Sequence, residues 1–275
     1  MSGPQFRFME QIPFATVDAG GVTLAYHESG AGEPVIFIGG LASTMDTWSP
    51  PVIERLSQKF RVIVFDNRGT GYSGETGEPF SVPLFARDTA ALMDALGISR
   101  AHILGHSMGA SIAQELTLTF PEKVGRLVLV AGDCGGAEAV KMSADILARL
   151  KDRSGTIAEQ IDRMFSLLFP RAWLDTHDPL QYCPEVYEKT AEAVVARQID
   201  AFYSWTGSCS RLCGLRVPVL VMTGDSDEVV PLKNSRILAE RIPGSEFMVF
   251  PGGGHGLMYQ FPDRFCDEVI RFLDR

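Results

Sequence analysis

The chain has 275 residues, 45% of them hydrophobic and 21% charged, with a formal net charge of -9, the balance of a globular domain with a large buried core. The acidic balance, without a lysine- or arginine-rich run, argues against a nucleic-acid or anionic-membrane binder. No apolar stretch approaches the roughly 18 residues of a membrane span, and Glu10 and Pro13 interrupt the N-terminus where a signal peptide would be apolar, so a cytoplasmic protein acting on small molecules is expected.

Residues 22–27 alternate apolar and polar side chains, whereas residues 35–38 and 62–65 are continuous apolar runs, the pattern of strands buried on both faces. Residues 84–96 carry apolar positions at helical spacing and stop at Gly97; a strand follows at 101–104. The next helix, 107–120, places Met108, Ile112, Leu116 and Phe120 on one face and ends at Pro121, before a strand at 126–130. After residue 217 the alternation resumes with strand 219–222, helix 232–241, strand 246–250 and helix 262–273. Strands alternating with helices predict a mostly parallel sheet covered by helices on both faces.

Between residues 134 and 211 the pattern changes to helical segments at 144–150, 157–168 and 187–203. This stretch is expected to be a helical cap inserted into a core built from residues 1–133 and 212–275. Its aromatics include Phe169, Trp173, Tyr187 and Trp205; most are expected to pack the cap onto the core, the rest to face a substrate. Trp48, Phe169, Trp173, Trp205 and Leu257 are the expected pocket wall. The five cysteines (134, 183, 209, 213 and 266) are scattered, which suits reduced thiols. No histidine cluster joins Cys209 and Cys213, so no metal is expected there.

Chemistry concentrates at Gly105-His106-Ser107-Met108-Gly109, between a buried strand and a helix. Gly-x-Ser-x-Gly in that setting is a nucleophile elbow: the turn strains the serine backbone and brings strand and helix too close for a β-carbon at either glycine. Ser107 is therefore the candidate nucleophile, with the positive end of the following helix near it. A serine hydroxyl needs a base, and the base needs a carboxylate to orient it. Of five histidines only His255 lies beyond the last predicted strand, in a Gly-rich loop; His106 is assigned to support of the elbow. The loop after strand 219–222 offers Asp225 and Asp227, and Asp227, further into the loop and anchored by Val229-Val230-Pro231, is favoured.

Those motifs, with Asp66-Asn67-Arg68-Gly69-Thr70-Gly71-Tyr72-Ser73 after a strand, closely resemble the α/β-hydrolase superfamily from about residue 20 to the C-terminus, apart from the cap. The resemblance implies an eight-stranded, mostly parallel sheet with an inserted cap, the chain order Ser107, Asp227, His255 for a catalytic triad, and an oxyanion hole made by the backbone N–H groups of Leu41 and Met108. Gly39 stands where the family usually has histidine in its His-Gly loop.

The expected activity is hydrolysis of a small carboxylic ester or lactone through an acyl-enzyme, chemistry that calls for no cofactor. The Trp48, 66–73 and 80–96 segments look most like the branch containing 3-oxoadipate enol-lactonases. Hydrolysis of carbon–carbon bonds in ring-cleavage diketones, cofactor-free perhydrolysis and a non-catalytic ligand-binding role are the alternatives. Arg149, Arg163, Arg171 and Arg197 are the cationic candidates for a carboxylated substrate. A monomer and a homodimer fit the sequence equally.

Overall fold

Eight strands form one sheet: β1 (Ala15–Asp18), β2 (Thr23–Ser29), β3 (Pro34–Ile38), β4 (Arg61–Phe65), β5 (Ala101–His106), β6 (Val124–Val130), β7 (Val219–Gly224) and β8 (Glu246–Phe250). The computed structural model describes residues 13–186 and 190–275; the sequence reading of the N-terminus through residue 12, and that of Tyr187, lie outside them. The strand order is β1-β2-β4-β3-β5-β6-β7-β8, with β1/β2 and β2/β4 antiparallel and every other pair parallel. Strands β5 and β7 are buried at every residue, as expected of parallel strands covered on both faces.

Helices α1 (Pro50–Ser57), α2 (Val82–Ala95) and α3 (Met108–Thr119) precede β6. Between β6 and β7 come α4 (Ala144–Lys151), α5 (Ile157–Leu168), the single turn α6 (Arg171–Leu174) and α7 (Glu192–Ser204); α8 (Leu232–Arg241), the turn α9 (Leu257–Gln260) and α10 (Pro262–Leu273) complete the chain. Two hydrophobic clusters lie on opposite faces of the sheet. Phe85 and Leu92 of α2, Ile112 and Leu116 of α3 and Leu238 of α8 share one. Val52, Ile53 and Leu56 of α1 and Phe265, Val269 and Phe272 of α10 share the other.

Four elements escape the sequence pattern, among them the single turns α6 and α9. Strand β1 is four residues long with a mainly exposed edge, too short to show alternation. Helix α1 opens on Pro50 and Pro51, residues that mark breaks as readily as first turns. The predicted helix over 187–203 is seen from Glu192. The segment after α7 is not a free cap: Trp205, Cys209 and Leu212 join the cluster under α2 and α3. All five cysteines are free. Among the described residues no helix is long and apolar enough to cross a membrane, and no group of His, Cys, Asp and Glu could hold a metal ion.

Candidate active site

Ser107 links β5 to α3 with φ 58° and ψ -124°, a conformation that non-glycine residues adopt only under local constraint. Its N–H donates to Val130 O on the neighbouring strand at 2.9 Å. The flanking glycines explain the tightness. A β-carbon on Gly105 would lie 2.3 Å from Gly109 O, and one on Gly109 would lie 2.0 Å from Ile38 O. Strand, helix and the adjoining loop close on one another only because both side chains are absent.

His255 lies in the loop after β8. Its Nδ1 donates to Asp227 Oδ2 at 2.8 Å, and both side chains are buried. With Nδ1 carrying the proton, Nε2 is the nitrogen left to act as base. Asp227 is fixed in turn, its Oδ1 accepting the N–H groups of Val229 and Val230 at 2.9 and 2.8 Å. Asp225 plays a different part. Its Oδ1 accepts from Gly252 N at 2.8 Å and from Ser226 Oγ at 3.0 Å, tying together the loops that carry Asp227 and His255. His106 braces His255 from behind, its Nε2 donating to the His255 carbonyl at 3.0 Å with the rings 4.8 Å apart. Burial, and then the neighbouring imidazole, lower the His106 pKa to about 3, so it donates as a neutral ring.

The loop at residues 39–43 passes directly beside the serine. A β-carbon on Gly40 would lie 3.0 Å from Ser107 Cβ, and one on Gly39 would lie 3.1 Å from Ser43 Cβ. Asn67 Nδ2 donates to Gly39 O at 3.2 Å, and Ser43 N to Gly40 O at 3.3 Å. Ala42, at φ 59°, is gripped on both sides of its backbone by the segment between β6 and β7: its N–H donates to Gln198 Oε1 at 2.9 Å and its carbonyl accepts from Thr190 Oγ1 at 3.0 Å. The Leu41 amide has no acceptor among the described residues, and Met108, the first residue of α3, has no carbonyl one turn earlier to bond. Leu41, Met108, Ser107 and His255 line one cavity of about 290 Å³, whose wall also includes residues of α4, α5 and α7.

The sequence matches the family described as alpha/beta hydrolase fold over residues 33–262. The chain belongs to that family. A relative from Caulobacter sp. (strain K31), named "Putative carbamate hydrolase RutD", is 33% identical over 94% of this chain and 98% of its own length. A meta-cleavage product hydrolase from Pseudomonas fluorescens IP01 superimposes with a TM-score of 0.77 at 25% identity, covering 96% of this chain and 98% of that one. The enol-lactonase from Burkholderia xenovorans LB400 does so with a TM-score of 0.80 at 23% identity, covering 96% and 100%; at that identity the likeness is one of fold.

The sheet is mostly parallel, as expected, but the expected pocket wall needs correcting. Trp48 lines the cavity. Phe169, Trp173, Trp205 and Leu257 do not. Phe169 stacks on Trp173 with centroids 4.5 Å apart, and the space beside it is closed by Gly254 and Gly256 of the His255 loop. Trp173 continues the stack to His177. Trp205 lies against Gly135, where a β-carbon would come within 2.4 Å of its ring. Leu257 is fully buried in the core. These large apolar side chains follow the stronger demand, close packing.

Of the candidate arginines, Arg149 and Arg163 line the cavity. Arg163 is paired with Asp152 at 3.0 Å and Arg149 with Ser166. Arg171 is an exposed partner of Asp175, and Arg197 lies over the Phe80 ring and bonds Glu75, away from the cavity. Sequence reasoning missed Gln198 and Asp133. Gln198 carried a signal, because it shares the buried face of α7 with Val194, Val195 and Ala201, and a glutamine in an apolar stripe needs a partner.

Proposed function

We propose that the chain is a serine hydrolase that cleaves a small carboxylic ester or lactone through an acyl-enzyme. The observation that carries this reading is the His255 imidazole, bonded through Nδ1 to buried Asp227 and exposed to the same cavity as Ser107 on its strained turn. In this reading His255 Nε2 takes the Ser107 proton as Oγ attacks the substrate carbonyl. The tetrahedral oxyanion accepts hydrogen bonds from the N–H groups of Leu41 and Met108, each worth on the order of 3 kcal/mol in comparable sites. His255 then protonates the leaving oxygen, and water, deprotonated by the same imidazole, releases the acid. A cavity of about 290 Å³ is at the small end for ligand sites, which favours a small substrate.

A second reading is favoured by the relative named as a carbamate hydrolase. A carbamate presents the same carbonyl to the same groups, with nitrogen on one side. Carbon–carbon cleavage, the activity in the name of the meta-cleavage product hydrolase, would use the same oxyanion site but a carbon leaving group.

Turnover of p-nitrophenyl butanoate, a small lactone and p-nitrophenyl N-methylcarbamate separates these readings. Wild type is expected to turn over the ester or lactone, with a loss of about 10⁴-fold or more in Ser107→Ala. Lasting inactivation by the carbamate with one equivalent of p-nitrophenol, absent in Ser107→Ala, marks Ser107 as the acylated group. Failure to act on all three, or undiminished turnover in Ser107→Ala, overturns the proposal.

A further inference from the structure

Three residues beyond β6, Asp133 lines the same cavity as Ser107 and takes no part in the chemistry above. Its position is rigidly tied to the elbow. Ser107 N bonds Val130 O at the end of the same strand, and Gly132 passes so close to α3 that a β-carbon there would lie 2.5 Å from Ala110 Cβ. Gln114, fully buried on α3, donates one amide to both Ala110 O at 3.0 Å and Asp133 O at 2.9 Å. The backbone of Asp133 is thus held to the first turn of the helix that Ser107 precedes.

The carboxyl itself is half satisfied. Oδ1 accepts the N–H of Gly135 at 2.8 Å, closing a turn of the kind aspartate commonly makes. Among the described residues no donor meets Oδ2. The other acid of the cavity wall, Asp152, is paired with Arg163. Burial raises the Asp133 pKa above the ordinary carboxylate range, opposed by the Gly135 N–H and by the charge of Lys141. The Lys141 ammonium lies over the Tyr203 ring, 5.6 Å from its centroid, and makes no ion pair with Asp133. A second ammonium would be repelled by it, whereas a neutral O–H or N–H would not. An acceptor of this kind, partly desolvated and one bond short, gains most from a donor brought by a ligand.

We propose that Asp133 is a specificity residue that accepts a hydrogen bond from a neutral hydroxyl or amide N–H of the substrate, so that the preferred esters are those carrying such a donor close to the scissile carbonyl. The assignment rests on the hydrolase reading of the site. A site built around an acceptor discriminates against substrates that leave it unpaired.

The test is kcat/KM, by titration of released acid, for methyl butanoate, its 2-hydroxy and 3-hydroxy derivatives and 2-hydroxyethyl butanoate. Wild type is expected to prefer one hydroxylated ester over its plain counterpart by about tenfold or more. Asp133→Asn keeps an oxygen for Gly135 but presents an amide where Oδ2 stood. It should bring the preference towards parity while leaving methyl butanoate turnover in place. Asp133→Ser, whose hydroxyl can also close the turn, is the second variant if the first misfolds. No hydroxylated ester preferred, a preference that survives in the variants, or equal loss on plain and hydroxylated esters overturns the assignment. If wild type hydrolyses not even methyl butanoate or p-nitrophenyl butanoate, the hydrolase reading fails, and this assignment with it.

Discussion

Gln198 Oε1 accepts the N–H of Ala42 across 156 residues of sequence, at 2.9 Å, so helix α7 holds the loop that runs beside Ser107. The Leu41 amide sits one peptide away, and displacement of a positioned donor by about 1 Å can cost as much as about 100-fold in rate. Gln198→Met keeps the length of the side chain and removes the acceptor. It should lower kcat roughly tenfold or more while KM changes little, because the oxyanion forms only after substrate has bound. Steady-state kinetics with p-nitrophenyl butanoate, beside thermal unfolding of the same variant, provides the check; a rise in KM alone would mean that Gln198 shapes the pocket instead.

The two aspartates of the β7 loop give a sharper contrast. Asp227→Asn would place an amide against His255 Nδ1, which already carries the proton, and favour the wrong tautomer. The comparable change in a serine protease costs about 10⁴ in kcat, and a loss of that order is expected here. Asp225→Asn keeps the oxygen that holds Gly252, so kcat should stay within a few-fold of wild type. Single-turnover rates on both variants decide the matter. If Asp225→Asn is the damaged one, the geometry has been assigned the wrong role.

The parts of this site that were legible in the sequence are those set by local constraint. Gly105 and Gly109 are needed within five residues of each other by one turn, and Asp227 lies in a short loop whose Val229 and Val230 amides fix its carboxylate. The parallel core was legible because buried strands cannot be polar. The pocket wall was not. Whether Phe169 or Trp205 faces substrate depends on how the helices between β6 and β7 pack against the sheet, and both turn to the core. Asp133 became visible only when β5 and β6 were paired, since that pairing carries its loop to the elbow. Strand β1 and helix α1 were too short to show a period.

The elbow glycines make a stability prediction. A methyl group at Gly109 would overlap Ile38 O at 2.0 Å, an atom of the rigid central strand β3 that cannot yield. Gly109→Ala should therefore destabilise the fold by more than about 4 kcal/mol or prevent folding outright. Gly214→Ala, where a β-carbon would meet nothing within 4 Å, is the matched control and should stay within about 0.5 kcal/mol of wild type. Urea unfolding of the pair tests this; equal midpoints would mean that the elbow relaxes at little cost.

Acid sensitivity follows from the histidine that braces the site. Burial and the neighbouring His255 lower the His106 pKa from 6.5 to about 3. As pH falls through 6.5 the unfolded chain takes up a proton at this position, whereas the folded chain does so only near 3. The unfolded state therefore binds more protons between those limits. The stabilisation from a neutral His106 is fully present above pH 6.5 and declines as pH drops, by up to about 1.4 kcal/mol per pH unit. His27 and His102 are shifted downward as well, chiefly by burial, and act in the same direction. Urea midpoints measured from about pH 7.5 down to about pH 4.5 should fall, and His106→Gln, which cannot titrate yet keeps an amide donor for the His255 carbonyl, should fall less steeply by the equivalent of about one proton. A slope unchanged by that substitution would assign the acid sensitivity to other groups.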